Sequence, residues 1–446
     1  MAPNDQAIPE ALYRNAINLN RYSNSVSKRI ITAYNDIILE TSAQLAAIDP
    51  VTSPGTTLRL RTILAQLEES LGTWVIDSKN VTQQELQGLA VLQTEFIQDQ
   101  LRNLLPSDAA KNAVRTVEIS PQFAEAVVTT DPTRVNVFNL PQDLHSQITG
   151  ARPTFSLTAR DGAVITLPNG ATVQKAFRGI AEVQTDLYVK TVQNGLAVGQ
   201  TTQQIARNLK GRLQFGQEGN VRQIAAAGGQ LTKVANKQVM TLVRTSINQV
   251  SNAATQKVYE ANQDITDEYR YVATLDSRTS AICSRLDGQI FKYGKGPQPP
   301  QHFNCRSVTV AVISDNFLKE FGLTREDLNL ARVRPSKTGL AQIGKTVPAN
   351  QNYATWLSKQ DIALQNEVFG IKRSALFRKE LKKGRSPTDV LRQFIREDGT
   401  ELNLKELERI TKTVRLCAVI IFLMPKGMSY GSAMKPKTKT KKKKKK

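Results

Sequence analysis

The stretch Thr274–Ser307, TLDSRTSAICSRLDGQIFKYGKGPQPPQHFNCRS, holds two of the three cysteines and one of the two histidines of this 446-residue chain. The pattern YRYVATL predicts a strand leading into it. A short helical turn (SAICSRL), a DG turn and a second strand (QIFKY) follow. The proline-stiffened loop GKGPQPPQHFNCRS then leads to a strand, VTVAVI. The stretch therefore predicts a small α+β structure in which the loop folds back on the Cys283 turn.

The composition of the whole chain is typical of a globular protein, with 40% hydrophobic and 22% charged residues. The length predicts two or three domains with their own cores. Three cysteines do not make a disulfide framework, and no signal segment opens the sequence, so we expect folding in a reducing cytosol. The apolar run Leu416–Met424 is about half as long as a bilayer crossing requires, and we expect no membrane partner.

Changes in hydrophobic periodicity predict an α+β chain that is mainly α. Before residue 131 the apolar spacing predicts three helices, of which the second runs through Leu60–Leu71 and the third through Gln83–Leu105. Alternation with DG and NG turns then predicts a β-hairpin. The predicted organisation is an N-terminal helical bundle (1–130), a β-hairpin element (131–176), an α+β domain (177–335), a small helical module (336–415) and a disordered basic tail (416–446).

Three helices are expected at the start of the α+β domain. The first runs from Phe177 to Leu196, and the second, TTQQIARNLKG, has Thr201 or Thr202 as its N-cap and Gly211 as its terminator. The third, Lys237–Gln263, has an apolar stripe on one face and a polar ladder on another, formed by Arg244, Asn248, Asn252 and Gln256. Such a ladder is either a binding face or a packing face whose amides satisfy nearby backbone groups.

The spacing C-x18-H-x2-C, from Cys283 through His302 to Cys305, offers two thiolates and an imidazole, the ligands that zinc prefers. Three ligands are one short, and Asp287, one helical turn after Cys283, is the candidate fourth. The pattern lacks the paired C-x2-C knuckles of specific zinc signatures. A metal site is therefore one interpretation among several.

Three other interpretations of the same residues stay open. Cys283 and Cys305 can form a disulfide or lie together as reduced thiols. His302 can simply hydrogen-bond to backbone in an ordinary core. Either cysteine can act as a nucleophile, with His302 as its base and Asn304 as orienter or oxyanion donor. No phosphate-binding loop or paired catalytic carboxylates are recognisable, so neither an enzyme nor a small-molecule substrate is expected.

The C-terminus is a polycation. The chain has a net charge of +21, and its last twelve residues, KPKTKTKKKKKK, contain nine lysines and no acid. Such a segment cannot bury itself and attracts polyanions, which predicts DNA binding that does not depend on base sequence. The predicted contacts are Lys435, Lys437, Lys439, Lys441, Lys442, Lys443, Lys444, Lys445 and Lys446.

The order TLDSRTSAIC, LDG and GPQPPQHFNCRS closely resembles the signature of the Mu F-like family of phage minor head morphogenesis proteins. The resemblance is close over Tyr271–Ser307 and weaker over NGLAVGQTTQQIARNLKG and LVRTSINQVSNAATQKVYEAN. The segment that contains YATWLSKQ resembles one that trails the signature in related phage proteins. Besides the cysteines, His302 and Asp287, the motif residues are Asp276, Ser277, Arg278, Gly288, Pro299, Pro300, Asn304, Arg306 and Ser307.

The resemblance implies a minor head (capsid) protein without enzymatic activity. It implies portal, scaffold and major capsid proteins as partners, while DNA is expected as a partner from the lysine-rich composition of the tail. The expected location is the virion interior near the portal vertex, with the host cytoplasm as the site of assembly. The alternatives are a DNA-binding internal or ejected virion protein and, third, an enzyme that uses the Cys/His segment.

Overall fold

Helices dominate a computed structural model of the chain, which describes residues 10–48, 54–119, 123, 173–330, 333–338 and 342–409. The chain divides into two units, Met1–Thr400 and Glu401–Lys446. In the second unit, Asn403 and Glu406 cap a helical turn, each accepting the backbone N–H of the other at 2.8 and 3.0 Å. The predicted apolar run Leu416–Met424 and the lysine-rich tail lie outside the described residues. Within the described part, no helix is long and apolar enough to cross a membrane.

Two long N-terminal helices form much of the core of the first unit. They are α1, Glu10–Ala46, and α2, Pro54–Leu104, followed by the short α3, Asp108–Asn112, which Ser107 caps. The prediction of separate second and third helices was wrong, because α2 is continuous over 51 residues. No proline interrupts the segment between the two predicted helices. Trp74 and Val75 in that segment are buried, so the continuous helix also places apolar side chains in the core.

The next four helices lead to the signature. They are α4, Val173–Ala197; α5, Thr202–Lys210; α6, Val221–Ala227; and α7, Gln230–Ala261. Helix α4 begins inside the segment predicted as a β-hairpin; residues 131–172 of that segment lie outside the described residues. Helix α7 starts seven residues before the predicted Lys237, and its buried stripe packs in one core with residues of α1, α2 and α4.

The ends of α5 confirm the predicted capping chemistry. Thr201 and Gln204 form a capping box, and the helix ends at Gly211, which has φ 57°. A Cβ atom at position 211 would lie 2.4 Å from the backbone nitrogen of Gly229, so the close approach to the start of α7 also requires glycine.

The signature folds on a three-stranded antiparallel sheet with strand order β2-β1-β3. The strands are β1, Glu268–Val272, β2, Ile290–Lys292, and β3, Val308–Val312, and helix α8, Ala281–Leu286, lies between β1 and β2. Tyr271 pairs with Thr309, and Tyr269 with Phe291. All three predicted strands and the predicted helical turn are confirmed. Helix α9, Asp315–Glu320, and a 3-10 turn, Arg325–Asp327, follow β3.

A second antiparallel pair, β4, Val333–Thr338, and β5, Gln342–Pro348, stands where the sequence predicted a domain boundary and then helices only. No strand pattern is recognisable in VRPSKT, because it lacks apolar alternation and contains proline. Strand β4 gains a partner from the signature instead, through a parallel bridge between Leu275 and Ser336. The predicted short helices follow as α10, Tyr353–Ser358; α11, Ile362–Phe369; α12, Ile371–Leu381; and α13, Pro387–Phe394.

Candidate metal centre

The structure brings Cys283, His302 and Cys305 together, as the sequence predicted. The Cys283 sulfur lies 3.2 Å from His302 Nε2 and 3.7 Å from the Cys305 sulfur. The three candidate ligand atoms all lie within 4.8 Å of one another. Both cysteines are free and buried. The group can therefore hold a metal ion.

Helix α8 and the proline loop supply these side chains from two directions. Ser280 caps α8 and places Cys283 in its first turn. The loop carries His302 and Cys305, and its turn is closed by a hydrogen bond from the Cys305 N–H to the His302 carbonyl at 3.2 Å. Asn304 adopts φ 58° in this turn, a left-handed conformation that asparagine tolerates better than most residues.

The polar ladder of α7 holds the loop in place. Asn304 donates its backbone N–H to Thr245 Oγ1 and its amide to Thr241 Oγ1, both at 3.0 Å. Asn248 and Asn252 of the ladder donate to the carbonyl of Ser307 at 3.2 and 3.4 Å. The amides therefore satisfy backbone and form a packing face, the second of the two roles considered for them.

A hydrogen bond to the backbone fixes the orientation of the His302 ring. Its Nδ1 donates to the carbonyl of Phe303 at 2.7 Å, which directs Nε2 towards the Cys283 sulfur and the Ser280 hydroxyl, the latter at 2.6 Å. A carbonyl on the distal ring nitrogen is the usual outer contact of a histidine that binds metal. Nε2 is thus the ring atom available to a cation once its proton is lost.

The pKa values of the two cysteine thiols are shifted in opposite directions. Burial, and next the adjacent Cys305, raise the pKa of the Cys283 thiol well above its usual value. Burial also acts to raise the pKa of Cys305, but the hydrogen bond from Cys283 and the positive charge on His302 outweigh it and hold that pKa well below its usual value. Burial acts to lower the pKa of His302, and the Cys305 thiolate reverses the effect and raises it. Cys305 is therefore the more acidic of the two buried thiols.

Asp287, the predicted fourth ligand, does not join this group. Its carboxylate accepts the backbone N–H groups of Ala273 at 2.7 Å and Tyr353 at 2.6 Å, and it pairs with Arg334 at 3.1 Å. Arg334 also donates to the carbonyls of Ala273 and Gln351. The pair is buried, and it joins the signature to β4 and to the start of α10.

The other motif residues support the turns around the centre. Asp276 is 2% exposed and receives both terminal nitrogens of Arg306, the longer contact being 2.7 Å. Burial acts to raise the pKa of Asp276, and the bonds from Arg306 outweigh it and lower that pKa. Gly288 has φ 81°, as the predicted DG turn requires. Pro299, Pro300 and Ser307 are buried, Ser277 is half-buried and Arg278 is exposed.

Sequence reasoning missed three side chains around the centre. They are Ser280, on His302; Tyr271, whose hydroxyl lies 3.2 Å from the Cys283 sulfur; and Arg334, on Asp287. The helix cap at Ser280 had a local signal, since serine three residues before Cys283 is a typical N-cap. Arg334 had none, because it lies 47 residues from its partner.

Residues 188–310 match the model of a family described as Phage Mu protein F like protein. Over these residues the chain is similar to the Mu F-like family of phage proteins. The match confirms the resemblance seen in the signature, and it runs from within α4 to β3, including Cys283, His302 and Cys305.

One relative of the Mu F-like region is an uncharacterized protein of Haemophilus influenzae, 32% identical over 97 residues. The aligned residues make up 21% of this chain and 21% of the relative, so the chain spans about one fifth of the length of that protein. No solved structure matches the chain. Helices α1 and α2 lie outside the family match but share a core with α7 of the Mu F-like region.

Proposed function

We propose that this protein is a minor head protein that acts in phage head morphogenesis. The observation that carries the proposal is the family match over residues 188–310, which contains the complete Cys/His signature. The fold agrees with a structural role, because the motif residues of the signature are used to hold turns, the proline loop and the adjacent helices together.

The proposed location is the virion interior near the portal vertex, and the proposed partners are the portal, scaffold and major capsid proteins. Assembly would take place in the host cytoplasm. The family resemblance supports these partners.

The location predicts a specific labelling pattern. A phage that encodes this chain with a small epitope tag should give virions that bind gold-labelled antibody, after partial opening of the heads, at one vertex. Negative-stain microscopy provides the measurement, and an identically tagged major capsid protein is the control, which should label the whole shell. Label over the whole shell for the tagged minor protein, or none in purified virions, would reject the proposal.

We further propose zinc as the ion of the Cys283–His302–Cys305 group. Two sulfur atoms and one imidazole nitrogen form a donor set that suits zinc, and the buried position suits a structural site. The ion would cross-link α8, which carries Cys283, to the proline loop, which carries His302 and Cys305.

Catalysis by the same residues is the less favoured function. The lowered pKa of Cys305, which arises although burial opposes it, is the observation in its favour. However, Cys305 and Cys283 are each only 2% exposed, and a nucleophile must reach its substrate. The Nδ1 of His302 also contacts a carbonyl rather than an orienting carboxylate. The role we propose is therefore structural.

DNA binding by the tail is the second proposed function, and it rests on nine lysines in the last twelve residues. The segment has no aromatic side chain to stack on bases, so its affinity must come from the release of counterions. Contact with about four to eight phosphates predicts a slope of log K against log salt of roughly −4 to −7, with little difference between duplex sequences.

Deletion of residues 435–446 should remove most of that slope and leave the thermal unfolding temperature unchanged. A variant in which the nine lysines become arginine is the matched control, and it should retain the slope because charge alone is required. Fluorescence anisotropy of a labelled duplex over a range of salt concentrations provides the measurement. An unchanged slope after deletion would place the DNA contact elsewhere on the chain.

A further inference from the structure

Four arginines from four different segments lie near one another beside the Mu F-like signature: Arg222 on α6, Arg244 on α7, Arg278 in the turn after β1 and Arg306 in the proline loop. We call them the arginine group. Arg306 and Arg278 meet at Asp276, at 2.7 and 3.9 Å. The proline loop that carries Arg306 is hydrogen-bonded to Thr241 and Thr245, the latter next to Arg244 on α7.

The charges of the other three arginines act on Arg244, and those of Arg222 and Arg306 act on Arg278. Burial, followed by the positive charges of Arg222, Arg278 and Arg306, lowers the pKa of Arg244 to about 10. Burial and Arg306 also lower the pKa of Arg278, where Asp276 and Glu367 act in the opposite direction and Arg222 adds to the lowering. The four side chains thus share one electrostatic environment.

Nearby acids compensate this charge only in part. Asp276 accepts two hydrogen bonds from Arg306. It lies 3.9 Å from the guanidinium of the half-exposed Arg278, which is beyond hydrogen-bond distance. Arg244 donates to the amide oxygen of Asn24 at 2.7 Å, and its Nε is buried without a partner. Among the described residues, no acidic side chain forms an ion pair with Arg222 or Arg244.

Grouped like charges repel one another, and this cost is offset when an anion lies between them. Guanidinium groups present paired N–H donors that match the oxygens of a phosphate, and they hold their charge where a lysine would lose it. Arg222 and Arg278 remain accessible from solvent, while Arg306 and Arg244 form the partly buried base of the group. A phosphate can therefore approach from the exposed side.

We propose that the arginine group binds the phosphates of a nucleic-acid backbone. The choice of packaged DNA as the source of these phosphates rests on the proposed head function. Contacts to backbone phosphates fix the position of the DNA strand without selecting its sequence. The group also differs from the lysine tail, since its side chains are held at fixed positions by the fold.

The test uses the full-length chain with Lys441–Lys446 replaced by glutamine, so that the tail does not mask a second contact. In this background, the double substitution Arg222→Gln with Arg278→Gln should reduce the steepness of the salt dependence of duplex binding by about 2, since each lost phosphate contact removes about 0.9. Affinity at 0.1 M salt should fall by about tenfold or more. Both side chains are exposed, so the unfolding temperature should not change.

The matched control is Arg59→Gln with Arg61→Gln on α2, which removes the same charge from exposed positions outside the group. It should leave the slope nearly unchanged. Equal losses in the two double variants would indicate a non-specific effect of net charge and overturn the proposal, as would an unchanged slope in the Arg222/Arg278 variant.

Two further probes separate the possible ligands. If the Arg222/Arg278 variant lost affinity for polyglutamate but not for duplex DNA, the group would bind an acidic protein segment, and the proposal would be overturned. If inorganic phosphate bound to the arginine group while the Arg222/Arg278 variant kept its affinity for DNA, the assignment to a nucleic-acid backbone would be overturned. None of these outcomes affects gold labelling at the vertex, so failure of this inference is distinguishable from failure of the proposed function.

Discussion

Protein purified without chelator should carry about one zinc ion per chain, and removal of that ion should lower the free energy of unfolding by several kcal/mol. Structural zinc contributes about 10–16 kcal/mol in small zinc-binding peptides. The effect should be smaller here, because the loop is also held by Asn248, Asn252 and Asn304. Metal analysis and denaturant unfolding with and without chelator provide the measurements.

Single substitutions sharpen this test. Cys283→Ser and Cys305→Ser should each abolish zinc retention, and each should make the unfolding curve insensitive to chelator. Cys417→Ser is the matched control, since it makes the same chemical change at the third cysteine, which is not one of the proposed ligands. Zinc content below about half an equivalent in the unaltered protein, or equal loss in the Cys417 variant, would contradict the assignment.

The convergence of Cys283, His302 and Cys305 could be predicted because its determinants are local. The DG turn fixes the reversal between α8 and β2, and the prolines keep the following loop extended until β3 begins. Strands β2 and β3 both pair with β1, so the loop that joins them must pass close to helix α8. The predicted secondary structure was therefore enough to bring the three side chains near one another.

The partner of Asp287 could not be predicted from the same stretch. One helical turn separates Asp287 from Cys283, which made it a reasonable ligand, but its carboxylate lies at the C-terminal end of α8 and accepts backbone N–H groups there. Arg334 reaches it from β4, a strand whose sequence carries no strand pattern. Contacts between distant segments of this kind depend on tertiary packing rather than on periodicity.

The length of α2 shows a second limit of sequence reasoning. A gap in the apolar spacing between Leu71 and Gln83 suggested a helix boundary, although the segment contains no proline and only one glycine, Gly72. Weak periodicity indicates a change of packing partner as readily as a helix end. Here the helix continues, with Trp74 packed on Tyr34 and Phe177.

Asp287→Ala should destabilise the protein by about 3–5 kcal/mol, the cost typical of removing one partner from a buried ion pair. The Asp287 and Arg334 side chains are 0% and 4% exposed, so the substitution removes the carboxylate that pairs with a buried guanidinium. It also removes the acceptor for the N–H groups of Ala273 and Tyr353. Equilibrium unfolding in urea measures the change.

The matched control for this prediction is Asp264→Ala, which breaks the solvent-exposed pair with Arg115, whose side chains are 60% and 50% exposed. Because water screens an exposed pair, its loss should cost at most about 1 kcal/mol. Zinc content separates the two roles considered for Asp287: below its unfolding transition, the Asp287→Ala protein should keep its zinc if the carboxylate serves Arg334, and should lose it if the carboxylate is a ligand. A cost no greater than that of Asp264→Ala would show that this buried pair does not hold β4 and α10 to the signature.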